Sequence, residues 1–257
     1  MEWYMYLAVI AAGLFAGFVN TLAGSGSLLT LPLLMFLGLP ANIANGTNRI
    51  GVLVQSTIGA WSFRNQKIYS IRESLWMAVP ATLGSLAGSL VAIRINERIM
   101  ELLIGGLLIF MFFVILYKPE QWVREHALGI SARRRGWVIL IFFFIGIYGG
   151  FIQAGVGFFL LAALVLGAGM GLTKANAVKV AIVAIFTAVA LLVFIVSGQV
   201  NYFMGLILAA GQGVGALIAS KFAVSWGPKV VRIVLLVAVL ASALKLTGAF
   251  DLLLGWF

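Results

Sequence analysis

The chain has no cysteine, so disulfides, thiolate metal sites and thiol chemistry are excluded from the outset. Carboxylates are nearly as scarce. Glu2, Glu73, Glu97, Glu101, Glu120, Glu125 and Asp251 are the only acidic side chains in 257 residues, and each falls in a loop or at the end of an apolar run. A catalytic carboxylate pair or a buried carboxylate proton relay therefore has nothing to be built from. The single histidine, His126, sits in a charged loop. With no metal cluster and no nucleophile–base pair available inside the apolar runs, the sequence argues against an enzyme and calls for no cofactor or metal. A positive n-region is also missing ahead of the first apolar run, which starts after Met1-Glu2-Trp3-Tyr4 and is expected to be kept as a helix.

What the chain has is apolar length. Hydrophobic residues make up 63% and charged residues 9%, against about 45–50% and about 25% in a soluble domain. Apolar runs of about 20 residues recur along it, the length a helix needs to cross a bilayer. Only helices and closed barrels satisfy every backbone group in lipid, and these runs do not alternate as barrel strands do. The fold class expected is an all-α polytopic membrane protein. A net charge of +10 would suggest nucleic acid in a soluble protein, but most of the 17 Lys and Arg lie between apolar runs. They read as the charge bias that orients membrane helices, so the partner expected is the lipid bilayer and no nucleic acid.

Helices are predicted at 4–22, 27–38, 42–63, 71–92 and 99–117, then, after a polar loop at 118–136, at 137–153, 158–170, 172–196, 202–220 and 230–249. The second element is short each time; twelve helical residues span ~18 Å of a ~30 Å hydrocarbon core. That agreement points to an internal repeat. Gly13, Gly17 and Asn20 share the spacing of Gly146, Gly150 and Gln153. Gly24 and Gly26 then match Gly155 and Gly157, Gly38 matches Gly169, and Ala44 and Asn45 match Ala175 and Asn176. In this register Asn48 falls on Lys179, and Arg49 on Val180. The division expected is a first repeat at 1–117, a basic cytoplasmic loop at 118–136 and a second repeat at 137–257.

Five elements per half make the repeats inverted, and the charges favour that arrangement. With the central loop in the cytoplasm, inversion also places Arg64, Lys67, Arg72, Lys174, Lys179, Lys221, Lys229 and Arg232 on or toward the inside. Parallel repeats send the last five of these outside, against the rule that Lys and Arg stay in the cytoplasm. Both termini are then expected outside, in a plasma (inner) membrane.

Inverted repeats with short, glycine-interrupted helices are the sequence mark of a secondary transporter whose substrate binds near the midplane. A helix starting at Ser27 leaves its first N–H groups without helical partners and turns its positive dipole end toward the break, as its counterpart after Gly157 does. Arg49 and Lys179 each lie ~10–12 Å inside their helices, a depth at which a charge is costly and marks a functional site by default. The candidate substrate site is therefore Asn20, Gly24, Ser25, Gly26, Ser27, Asn48, Arg49, Gln153, Gly155, Gly157, Asn176 and Lys179. With no interior carboxylate to pair with either cation, the simplest partner is a transported anion. The glycine pairs Gly13/Gly17, Gly84/Gly88, Gly146/Gly150 and Gly211/Gly215 read instead as close helix packing.

At Gly24-Ser25-Gly26-Ser27 followed by Pro32, at Ala44 to Asn48, and at the degenerate second copy Gly155-Val156-Gly157 with Ala175-Asn176, the chain resembles the TauE/SafE sulfite exporter family, also called the toluene-sulfonate uptake permease family. The resemblance covers essentially the whole chain. It implies movement of sulfite, organosulfonates or related sulfur anions across the plasma membrane, most simply as export by alternating access. The residues alone also admit a passive anion channel or a membrane subunit with no transport of its own. They are compatible with proton coupling and with a homo-oligomer.

Overall fold

The computed structural model describes residues 3–69, 71–117, 135–222 and residue 240, and all elements among these are helical. The first half holds α1 (Trp3–Ala23), α2 (Ser27–Phe36), α3 (Ala41–Asn65), α4 (Ile71–Ala92) and α5 (Glu97–Leu116). The second holds α6 (Arg135–Phe151), the short α7 (Val156–Ala162) running on into one π turn at Ala163–Gly167, α8 (Leu172–Val196) and α9 (Tyr202–Phe222). The loop at 118–134 and, residue 240 apart, the helix expected at 230–249 lie outside the described residues.

Helix boundaries move by up to three residues from those expected, and two of the shifts bear on the loops. α6 already begins at Arg135, within the expected loop, and α7 begins at Val156 rather than at 158. The first break, 24–26, has one left-handed residue, Gly24 (φ 77); the break before α7 is a residue longer, 152–155, and has two, Gln153 (φ 68) and Gly155 (φ 75). The hydroxyl of Tyr148 donates to the carbonyl of Ala154 and fixes that turn.

In both halves the short helix folds back on the helix before it. A Cβ on Gly26 would lie 2.1 Å from the carbonyl oxygen of Ala16, ten positions back along α1. In the second half the ring of Phe159 on α7 meets Tyr148 on α6 edge to face, with centroids 5.3 Å apart. α1 and α2, and likewise α6 and α7, are hairpins that enter and leave by one end of the bundle.

Helix directions follow from the hydrogen bonds at the two ends. At one end the backbone N–H of Asn201 donates to Thr47 Oγ1 (2.9 Å), Gln199 Nε2 to the carbonyl of Ile93 (3.0 Å) and Asn42 Nδ2 to that of Ile95 (2.8 Å). At the other, Ser220 Oγ donates to Ser62 Oγ (2.7 Å) and Gln66 Nε2 to the carbonyl of Ser220 (3.1 Å). α3 and α9 therefore run side by side in one direction. α8, joined to α9 by the short loop 197–201, runs antiparallel to α3, its counterpart of the same length, 25 residues.

Glycines set the closest approaches between helices. α1 lies against α9, where a Cβ on Gly17 or Gly215 would fall 2.2 and 2.0 Å from the carbonyl oxygens of Gln212 and Leu14. α4 lies against α6 in the same way, through Gly84 and Gly88 on one side and Gly146 and Gly150 on the other. Each half thus lends its first helix to the fourth helix of the other half. Such seams suit lipid, where apolar area gives no preference for a neighbouring helix and close van der Waals contact must supply the association. α3 stands at the centre, with Asn45, Thr47, Asn48, Arg49, Gln55, Ser56 and Ser62 all buried. Its low apolar content keeps it out of the group of five helices long and apolar enough to cross a membrane, which includes α1, α4, α5, α8 and α9. Packing by the other helices, rather than contact with lipid, is what its residues suit.

Candidate anion-binding site

The two breaks meet. The N–H of Gly157 donates to the carbonyl of Gly24 (3.2 Å), and a Cβ on Gly24 or on Gly157 would lie 2.3 or 2.2 Å from the other residue's Cα. No side chain fits between them. Gly24 has a further need for glycine, because its φ of 77 lies in the left-handed region.

Beside this contact is a small cavity of about 10 Å³, the space of one water molecule. Six of the expected site residues line it: Asn20, Gly24, Ser27, Gln153, Gly157 and Lys179. The rest of its wall is Gln55, Ser56 and the apolar Val52, Val156, Val180 and Val183. Gln55 and Ser56 were not expected. The available signal was a glutamine–serine pair in the middle of an apolar stretch of α3, just under two turns past Arg49.

Lys179 is 1% exposed. Its Nζ donates to the carbonyls of Asn20 (3.2 Å) and Thr21 (3.1 Å), in the last turn of α1, and to Asn176 Oδ1 (2.8 Å). Asn176 thus acts behind Lys179 rather than on the cavity wall. Gln153 Nε2 donates to Thr187 Oγ1 (2.5 Å), while Oε1 of Gln153 and Oε1 of Gln55 have no protein partner.

Arg49 is also fully buried, but it is not on the cavity wall. Its guanidinium sits at the C-terminal end of α6, with Nη2 donating to the carbonyl of Gly150 (2.6 Å) and Nη1 to that of Gly149 (3.1 Å). Nη2 also reaches the Phe151 carbonyl and Asn45 Oδ1 at 3.4 Å each, and the ring of Phe194 lies 4.5 Å beneath the guanidinium carbon. The last carbonyls of a helix lack helical partners and carry its negative dipole end, so they satisfy a cation without a carboxylate. Asn45 completes the cap by donating to the Phe151 carbonyl (2.8 Å).

The two cations therefore do corresponding things. Each is carried by the third helix of one half, works with an asparagine one turn earlier, and caps the first helix of the other half. Of the remaining expected residues, Asn48 accepts from Thr30 Oγ1 (2.6 Å) inside the first half. Ser25 is buried in the break with its hydroxyl unpartnered, Gly26 lies against α1, and Gly155 lies against Met111 of α5.

A chain of apolar helices around a buried, cation-bearing polar cavity defines a multi-pass membrane protein. By the match of the sulfite exporter TauE/SafE family model to residues 9–246, it belongs to that family. It is 30% identical over 249 residues to probable membrane transporter protein YfcA of Escherichia coli strain K12, covering 94% of this chain and 90% of the relative. It is 26% identical over 247 residues to probable membrane transporter protein ORF9 of a Sinorhizobium species, covering 96% and 94%. No solved structure matches it.

Proposed function

We propose that the chain is a secondary transporter of small anions, built from two inverted repeats, that exports sulfite or an organosulfonate across the plasma (inner) membrane. The observation that carries this reading is Lys179, a buried cation on the wall of the cavity where the two breaks meet. Its protein partners are neutral oxygens, and Glu97 and Glu101 are exposed at the start of α5. Unlike Arg49, Lys179 faces a cavity, where a mobile anion complements a charge that helix-end carbonyls offset only in part.

The antiparallel courses of α3 and α8, and the exchange of first helices between the halves, support inverted repeats meeting at the site. The basic residues orient the bundle with 66–69 and the central loop inside and both termini outside. A cavity of about 10 Å³ is too small for a sulfur oxyanion, which supports reading this conformation as occluded. Access then requires Gly24 and Gly157 to part, toward one side or the other, as alternating access demands. The family's description as sulfite exporters supports the sulfur anion and the outward direction.

Purified protein in liposomes should show saturable sulfite uptake that is accelerated by sulfite on the far side. Lys179→Gln should lower it at least ~10-fold, because a ligand charge left without its buried partner costs well over a factor of ten. Wild-type liposomes with no anion flux, or a Lys179→Gln variant that transports normally, would overturn the reading.

A further inference from the structure

Resting on that reading, we infer that the cavity accommodates one negative charge and no more, so that the site takes singly charged sulfonate-type oxyanions and rejects dianions of the same size. Among the described residues, Lys179 is the only charged one on the wall. Arg49, the other buried cation, is held by the carbonyls of Gly149, Gly150 and Phe151 and by the ring of Phe194, off that wall.

Helix ends do not change the count. The C-terminus of α1 places roughly half a negative charge on Lys179, and the N-terminus of α2, at Ser27, returns at most that to the cavity, since its Leu28 and Leu29 N–H groups are turned onto the carbonyls of Ser25 and Gly26. The N-terminus of α7 adds little, because its Gly157 N–H is turned onto the Gly24 carbonyl. What is left is no more than one positive charge. The remaining polar side chains, Asn20, Ser27, Gln55, Ser56 and Gln153, are neutral. Gln55 and Gln153 are 1% and 2% exposed, and each keeps an amide oxygen without a partner. These groups suit the oxygens or the proton of a bound oxyanion, and none of them offsets a second charge. For sulfite the form admitted is hydrogen sulfite, so each anion moved takes a proton with it from the substrate rather than from a side chain.

Methanesulfonate and sulfate are both tetrahedral, close in size, and differ by one charge. The full chain in detergent, titrated calorimetrically with each at fixed pH and ionic strength, should bind methanesulfonate saturably and sulfate about a hundred-fold more weakly, the order expected when a buried charge is left unpaired. Sulfate binding as tightly as methanesulfonate overturns the single-charge inference and leaves the anion site standing. Binding of neither, nor of sulfite, removes the anion site and the inference with it. Val180→Lys, which puts a second amine on the same wall, should raise sulfate affinity relative to methanesulfonate; an unchanged ratio in the folded variant also counts against the inference.

Discussion

Arg49 and Lys179 occupy similar depths and have similar partners, yet they are expected to fail differently when neutralised. Arg49 holds the last carbonyls of α6 and is packed on Phe194, away from the cavity. In Arg49→Gln the shorter amide does not reach that fork of carbonyls, and each buried group left unpaired costs about 1–3 kcal/mol. The expected result is a fall of several degrees in the unfolding midpoint in detergent, while methanesulfonate affinity changes by less than about three-fold in whatever folds. An unchanged midpoint with lost anion affinity would return Arg49 to the binding site. The burial of both cations was legible in the sequence, from their depth in apolar helices. Their partners were not, because helix-terminal carbonyls belong to the backbone and no side-chain letter marks them. The absence of interior carboxylates, read as leaving both cations for an anion, is met at Arg49 by a helix end.

At the scale of elements, the boundaries of α3, α4, α8 and α9 fell within two residues of those expected, since clear breaks on either side fix them. The four glycine pairs were legible as packing faces, but which face meets which was not. A small-residue stripe is complementary to any other, and only the assembled bundle pairs α1 with α9 and α4 with α6. The polar character of α3 was the more informative signal, since a helix with Asn45, Asn48, Arg49 and Gln55 on it has to be wrapped by others. The seams carry a prediction. A Cβ on Gly84 would lie 2.0 Å from the carbonyl oxygen of Phe143, whereas at Gly106 on α5 nothing lies within 4 Å. Gly84→Leu must push α4 off α6, and the backbone at the seam has no side chain to move aside. It should yield aggregated or proteolysed material in size-exclusion chromatography, with Gly106→Leu eluting as the wild type does. Equal behaviour of the two would mean that close backbone contact is not what joins these helices.

For the whole molecule, the hairpin course of α1–α2 and of α6–α7 has a consequence for sidedness. Because each short helix returns to the end from which its hairpin entered and α3 and α8 are antiparallel, the connections after α3 and after α8 lie at opposite ends. The charge pattern is consistent with this: Arg64 and Lys67 flank the first connection, and 197–201 carries no charge. The absence of native cysteine makes the test direct, since any labelling reports only the introduced residue. Asn65 and Ser197 are both exposed at these connections. In intact cells, Ser197→Cys should react with an impermeant maleimide added from outside. Asn65→Cys, and Ile130→Cys in the central loop, should react only after the membrane is opened. Reaction of Asn65→Cys and Ser197→Cys from the same side would contradict the antiparallel placement of α3 and α8 and the inverted repeats with it. Reversal of both, with Asn65→Cys labelled from outside, would keep the repeats but invert the orientation, leaving Lys179 to be approached first from the other side of the membrane.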